Sequence, residues 1–522
     1  MDAFSCLIDN PHSINRFSGI HRNGMYISHL LYADDLLIFG EASTENCEKL
    51  LTVLSSFGNV SGLLVNHEKS KVIISNYTSN PTDICAALHV QNHCDKMTYL
   101  GMPISSIKRL RLADFQPLLH SLSTHLSGWK AKLLSFAGRL QFLKYTIWNT
   151  IDYWIRGAIL PKACIKQLNR ICSRFLYSGD LEAKKLHLIA WHKTCKPKKY
   201  GGLGISDLKV LQFANACSLL CRFYNSTSNL FSYLNAKYGT PWTPTRIKTS
   251  ALWADIVKAA NSLGPYISFN ITTQSKIAFL WDPWIGGSSI SNLYSSSNMT
   301  DSIPQHSKIS DFILDGDWSI PAVLNPTILP YLQNIRMDQA PINSIGWKDQ
   351  KRISFSSFIF HYFREEIPFC WHKLIWHKHY ALKYSCYTWL ALNGGLKTAD
   401  ELIKRNIRVN SLCSLCFSFN ETTSHLLFEC DYAFTVLKSL IPSLGDFLLR
   451  PRLSDIFLFL EGRRDQFKHQ KIILLLKVCC AAYYIWRERN ERRFNSIYRS
   501  NATLCALINN AVDLKTSKWL QE

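Results

Sequence analysis

Long apolar runs, acidic side chains and disulfide-like cysteine spacing are all scarce in this sequence. The longest apolar stretch, Ile472 to Trp486, is interrupted by Lys477. It falls short of the ~20 residues a membrane-spanning helix needs, so it predicts a buried helix and no membrane partner. The amino terminus carries Asp2 where a secretory signal would be basic, and no apolar run with a small-residue cleavage site follows, which argues against secretion. Asp and Glu number 38 against 59 Lys and Arg, a net charge of +21. That excess favours a polyanionic partner such as nucleic acid or an acidic membrane surface. The 17 cysteines are odd in number and show no regular pairing pattern, which predicts reduced thiols, a metal site and a nuclear or cytoplasmic compartment. No repeat of fixed period is present.

What remains is ordinary globular material. Hydrophobic residues make up 47% and charged residues 19% of 522 positions, enough for several domains with real cores. Ile27 to Phe39 is apolar except for Ser28, His29 and the pair Asp34-Asp35, which predicts a hairpin with an acidic tip. Thr44 to Val60 has helical spacing with a cap at Ser43 or Thr44, and Leu63–Val65 and Lys71–Ser75 read as two short strands. Strand, helix, strand, strand makes an α+β domain. Helical patterns dominate from Leu112 to about Tyr233, and the Gly- and Ser-rich stretch 282–306 reads as the main linker.

Two constellations carry chemistry. Tyr32-Ala33-Asp34-Asp35 places adjacent carboxylates at a rigid turn, where they can bind Mg²⁺, although a solvated acidic turn has the same appearance. Cys413, Cys416, His425 and Cys430 form C-x2-C-x8-H-x4-C, four ligands suited to a closed tetrahedral Zn²⁺ site, the first pair on a knuckle and the second at a helix start. The alternative is three buried thiols and a surface histidine. Gly201-Gly202-Leu203-Gly204-Ile205 lacks nucleotide-fingerprint spacing and reads as a turn into a strand. Cys479-Cys480 reads as core and His372, His377 and His379 as structural, while Arg487, Arg489, Arg492 and Arg493 read as a solvated helix face, with a nuclear-import or RNA-contact role as the alternative.

Four segments in order resemble the palm and thumb of non-LTR (LINE-type) retrotransposon reverse transcriptases, especially the plant group. Tyr32-Ala33-Asp34-Asp35 looks like the catalytic metal motif, Ser61-Gly62-Leu63 with Asn66 and Lys69-Ser70 like the next palm motif, and Tyr99-Leu100-Gly101 like the primer-positioning turn. Trp129 with Leu133, Leu134, Ser135, Gly138 and Arg139 is similar to the thumb, and Trp191, Cys195, Pro197-Lys198 and Gly201 to Ile205 to the region beyond it. Trp371, Trp376, Trp389-Leu390-Ala391, Leu396-Lys397-Thr398 and Glu421 before His425 resemble the zinc-binding domain of plant reverse transcriptases. The resemblance implies RNA-directed DNA synthesis, with Asp34 the principal Mg²⁺ ligand, Asp35 its neighbour, and Lys69 a proton donor to pyrophosphate. It also implies structural Zn²⁺, and RNA and DNA as partners.

The implied architecture is a partial palm of antiparallel sheet plus helix over 1–110 and a helical thumb and connection over 111–240. A linker region with short elements over 241–345, a helical zinc-binding domain over 346–445 and terminal helices over 446–522 follow. Trp129, Lys130, Lys132, Arg139 and Lys144 mix cations with an aromatic ring and are the expected nucleic-acid contacts. The pattern departs from the family in one respect: the third catalytic carboxylate and the fingers are not visible before Asp34. The expectation is therefore a truncated reverse transcriptase, inactive alone, with an upstream polypeptide carrying fingers and endonuclease. The competing expectation is a non-catalytic nucleic-acid-binding zinc protein.

Overall fold

The computed structural model of the chain describes residues 2–9, 16–90, 93–105, 110–128, 133–182, 185–272, 275–294, 303–315, 317–322, 324–332, 345–348, 353–444, 450–462, 468–517 and 519. These residues form an α+β protein of short antiparallel hairpins among many helices. They fall into two compact units interleaved along the sequence. The first is Met1–Pro117, Asp152–Cys164 and Lys209–Tyr362; the second is Leu118–Ile151, Ile165–Leu208 and Phe363–Glu522.

The first unit begins with helix α1 (Asp2–Ile8), hairpins β1 (Ile20–Arg22) with β2 (Met25–Ile27) and β3 (His29–Tyr32) with β4 (Asp35–Ile38), and helix α2 (Thr44–Ser61). Ser43 caps α2 by accepting from the Asn46 amide, and the helix ends where Gly62 takes the left-handed region at φ 74°, a conformation that costs glycine nothing. The inner faces of α1, α2 and β3–β4 bury Phe4, Ile8, Phe17 and Leu50, with Leu31, Leu36 and Ile38 packed against them. The strands expected at Leu63–Val65 and Lys71–Ser75 do not form. Asn66 instead folds a polar turn, its side chain accepting from the Lys69 amide (3.0 Å) and its carbonyl from the Ser70 amide (3.0 Å), and only the isolated Val72–His93 bridge remains. Strands β5 (Lys96–Tyr99) and β6 (Met102–Ser105) form a third hairpin.

The larger core of this unit gathers Leu220, Phe231, Trp253, Ile256 and Leu263 from three helices and Ile345 from a strand paired with Ile267–Phe269. Trp284, Ile285, Ile290 and Tyr294, in the stretch read as a linker, are buried in the same core. Beneath them Asp282 is fully buried; its carboxylate accepts from Tyr224 Oη (2.9 Å) and the Ala278 amide (2.9 Å). Burial pushes this carboxyl from 3.8 up to about 7, against hydrogen bonds from Thr240, Ala278 and Tyr224.

The second unit packs α3 (Leu382–Leu392) against the 28-residue helix α5 (Lys468–Asn495), with α4 (Asp431–Leu440) and α6 (Asn501–Thr516) beside it. The apolar run of α5 is buried through Leu475, Cys479, Cys480 and Ile485, as its composition predicts. The Gly-rich segment joins distant parts of this unit. The Trp389 indole donates to Gly201 O (2.8 Å), the Phe369 amide to Lys199 O (3.0 Å), and Lys196 pairs with Glu366 (2.6 Å). Lys198 lies 4.2 Å from the ring centres of both Trp376 and Tyr380. A Cβ on Gly202 would sit 1.9 Å from Lys196 O, so only glycine fits. The strand expected after this turn is absent; residues 203–207 run irregularly into the helix Leu208–Asn225.

Candidate palm hairpin and metal centre

The β3–β4 register pairs Tyr32 with Asp35, leaving Ala33 and Asp34 as a two-residue turn with Ala33 at φ 53°. Such a turn matches the twist of paired strands and forces its side chains outward. Asp34 and Asp35 are both exposed at the tip. The base of the hairpin is fixed by His29, whose ring meets Ser5 Oγ (2.8 Å) and Ser28 Oγ (2.8 Å), while Ser28 donates to Asp9 (2.6 Å). Asp9 thus serves the scaffold. The outer face of the hairpin exposes Leu30 and Tyr32, the latter at 64%. Among the described residues no third metal-ligating side chain joins Asp34 and Asp35. Lys69 is exposed in the Asn66 turn.

Tyr99 ends β5, and Leu100 (φ 50°) with Gly101 (φ 74°) form the two-residue turn into β6. Two successive positive φ values make this the tight hairpin turn that favours Gly at its second position. The Tyr153 hydroxyl donates to Leu100 O and holds the tip against the helix Trp148–Gly157.

Of the expected nucleic-acid contacts, Trp129, Lys130 and Lys132 lie outside the described residues. The other two cations are engaged internally. Arg139 donates to Leu134 O (2.9 Å), Leu176 O (2.9 Å) and Phe175 O (3.4 Å), capping the carboxy end of the helix Lys162–Ser178. Lys144 donates to Leu203 O (2.6 Å), and burial, with Lys198 nearby, lowers its ammonium to about 8.

The Cys/His set does come together. Its four ligand atoms lie within 4.8 Å of one another, close to the roughly 3.5–3.8 Å spacing that a tetrahedral Zn²⁺ with bonds of about 2.0–2.3 Å requires. Cys413 and Cys416 sit on a knuckle closed by the Cys413 amide to Phe419 O (2.8 Å) and the Phe417 amide to Cys413 O (2.8 Å), with Phe417 at φ 56°. His425 opens a distorted turn in which Phe428 takes φ 89°, and Cys430 is the N-cap of α4. His425 Nε2 is 3.3 Å from Cys416 Sγ. A hydrogen bond between Cys413 and Cys430 drives the first thiol up and the second down. Three sulfurs and an imidazole nitrogen converging this closely suit a cation bound by deprotonated thiols.

The long helix grips this centre from behind, which corrects the solvated-face reading of its arginines. Glu421, fully buried between the ligand pairs, accepts from Arg489 Nη2 (2.5 Å) and Nε (2.9 Å) and from the Ala399 amide (2.8 Å). Arg492 donates to Leu415 O on the knuckle (3.0 Å) and pairs with buried Glu488 (2.8 Å), and Arg493 reaches Asn410 O (3.0 Å). Of the four, Arg487 is the one that stays largely in solvent. Alternating Arg and Glu carries no trace of a partner 68 residues away. His377 is buried with neither ring nitrogen hydrogen-bonded among the described residues, and burial lowers it to about 4.

Residues 10–104 match the reverse transcriptase (RNA-dependent DNA polymerase) family, and residues 354–436 match the family described as zinc-binding in reverse transcriptase. The Cys/His centre lies within the second match. The class is thus a reverse-transcriptase region followed by the zinc-binding region of such enzymes. Over 365 residues the chain is 25% identical to an Arabidopsis thaliana protein named "Putative ribonuclease H protein", covering 65% of this chain and 58% of that one. The chain therefore spans little more than half the length of that relative. Together these matches make the chain similar, over these regions, to reverse transcriptases with a zinc-binding domain and to a plant protein. No helix among the described residues is long and apolar enough to cross a membrane.

Proposed function

We propose that the chain serves retrotransposon reverse transcription as a nucleic-acid-binding palm, thumb and zinc module that does not polymerise by itself. The observation carrying this reading is the order of the parts: an exposed Asp34-Asp35 hairpin in a reverse-transcriptase region, then an assembled Cys/His centre in a zinc-binding region. Asp34 and Asp35 would hold Mg²⁺, Lys69 would lie by the pyrophosphate, and the Tyr99–Gly101 turn would position a primer. Two-metal phosphoryl transfer needs a further carboxylate, and none joins the pair among the described residues. Zn²⁺ held by Cys413, Cys416, His425 and Cys430 would have a structural role. RNA and DNA of the element are the partners, a nuclear or cytoplasmic location follows, and a separate polypeptide carrying fingers and endonuclease would complete the enzyme.

The same incomplete carboxylate set favours a second reading, a zinc protein that only binds nucleic acid. One experiment addresses both. An RNA template with a labelled DNA primer is mixed with the full chain, and binding and extension are followed with Mg²⁺ or Mn²⁺ and deoxynucleotides. Binding without extension is expected. Extension abolished by Asp34→Ala refutes the proposed inactivity, and failure to bind any primer, template or hybrid refutes the reading as a whole.

A further inference from the structure

The zinc knuckle covers the Arg489–Arg492 face of α5 and leaves the neighbouring stripe open. Tyr483, Trp486, Arg487, Asn490 and Phe494 recur at intervals of three and four, which puts them on one side of the helix. With Tyr387 from α3 they line a cavity of about 190 Å³. The Tyr387 and Tyr483 rings meet edge-on at 5.0 Å, and Lys383 Nζ lies 4.6 Å from the Tyr483 ring centre. Phe494, at the mouth, is 72% exposed.

Three features identify the occupant. The volume is below the roughly 300 Å³ at which pockets for drug-sized ligands begin, so one planar ring fits and an extended ligand must continue outside. The walls are aromatic faces with a polar handle. Asn490 spends its carbonyl on Arg489 Nη1 (2.9 Å) and leaves its amide nitrogen without an acceptor among the described residues. The charged lining is Arg487, half exposed and paired with Glu491 (2.8 Å), with Lys383 beside the Tyr483 ring, in a chain whose net charge is +21. Arg487 also lines the adjoining cavity beside Tyr484 and Leu504, so one guanidinium borders two neighbouring recesses.

We infer that this stripe of α5 and α3 is a binding groove for single-stranded nucleic acid, taking an unpaired base against Trp486, Tyr387 and Phe494 with Arg487 at the adjacent phosphate. Stacking on aromatic faces accepts any base, so the groove reads strandedness and not sequence. The inference rests on the nucleic-acid reading above and adds the surface and the form of strand it takes.

The test is fluorescence anisotropy of a labelled 12-nucleotide oligouridylate with the full chain across a salt series. Phe494→Ala, whose side chain is mostly in solvent, and Trp486→Ala should each weaken binding about 5- to 100-fold. Trp486→Phe should retain most of the affinity, and zinc content and thermal midpoint should not change in Phe494→Ala. Arg487→Ala should reduce the steepness of log affinity against log salt by roughly 0.7, while Phe494→Ala leaves the slope alone. If wild type binds and both Phe494→Ala and Trp486→Ala bind equally well, the groove is refuted while the nucleic-acid reading stands. If wild type binds neither single strands nor duplexes of RNA or DNA, that reading falls as well.

Discussion

Replacing Arg489 with Met strips the Glu421 carboxylate of its two-pronged partner. Glu421 and Arg489 are 0% and 2% exposed, with contacts of 2.5 and 2.9 Å. Breaking such a pair from one side costs about 3–5 kcal/mol, because a buried charge is left uncompensated. Arg493, at 3.5 Å from the same oxygen, and the Ala399 amide offset part of this, which favours the lower figure of about 3 kcal/mol. Unfolding temperature moves by about 2–4 °C per kcal/mol in domains of 150–250 residues, so Arg489→Met should melt roughly 6–12 °C lower. Glu421→Gln with Arg489→Met together should recover much of the loss, since two neutral groups leave no buried charge. Glu421 stands between Cys416 and His425 in sequence and its amide donates to Ser411 O (2.7 Å) just before the knuckle, so zinc should also leave the single variant faster. Calorimetry with a chromophoric chelator reads both effects. A fall below about 2 °C in Arg489→Met, or a double variant less stable than the single one, would refute the reasoning.

Three further outcomes are expected. Elemental analysis of the full chain should find one zinc, Cys416→Ser should lose it, and unchanged content in that variant would remove the assignment; chelation should unfold the surrounding region, since such ions carry much of the folding free energy. Asp282 keeps its proton to about pH 7 in the folded chain, whereas the unfolded chain releases it near 3.8. The stability it contributes is therefore full below pH 4 and lost as pH rises to about 7, in all about 4 kcal/mol at 1.36 kcal/mol per pKa unit. Urea unfolding at pH 4.5 and 7.5 should show a smaller pH dependence for Asp282→Asn than for wild type, and equal dependences would contradict the buried-carboxyl account. Leu30→Glu on the open face of β3–β4 should raise solubility at little cost in stability, because that side chain is 45% exposed; light scattering during concentration checks it.

Elements whose signals are local were legible in the sequence. The acidic hairpin, the capped helix after it and the knuckle each depend on residues within a few positions: Ala33-Asp34 in a two-residue turn, Ser43 before Thr44, and Cys413 three positions before Cys416. Leu63–Val65 misleads because β propensity counts only where a partner strand exists, and Asn66 turns the chain before one can pair. The arginines of α5 mislead for the opposite reason. Their Glu and Arg neighbours imitate a solvated face, while their burial comes from Glu421 and Leu415 far away in sequence. Trp389 likewise shows its role only once Gly201 is beside it.

The clasp between Gly201 and Trp389 bears on the order in which the molecule can be made. Its two halves are separated by 188 residues, much of that interval belonging to the other unit. A ribosome must therefore finish residues 209–362 before the earlier half meets its partner, and closing such distant contacts is slow because loop entropy is spent before any contact forms. Until then Tyr200, which stacks on Phe363 in the folded chain (5.6 Å), and the Gly201 carbonyl await their partners. The same interleaving means that no single cut frees either unit: a fragment starting at Phe363 would carry its zinc ligands but lack the turn that receives Trp389, Phe369 and Tyr380.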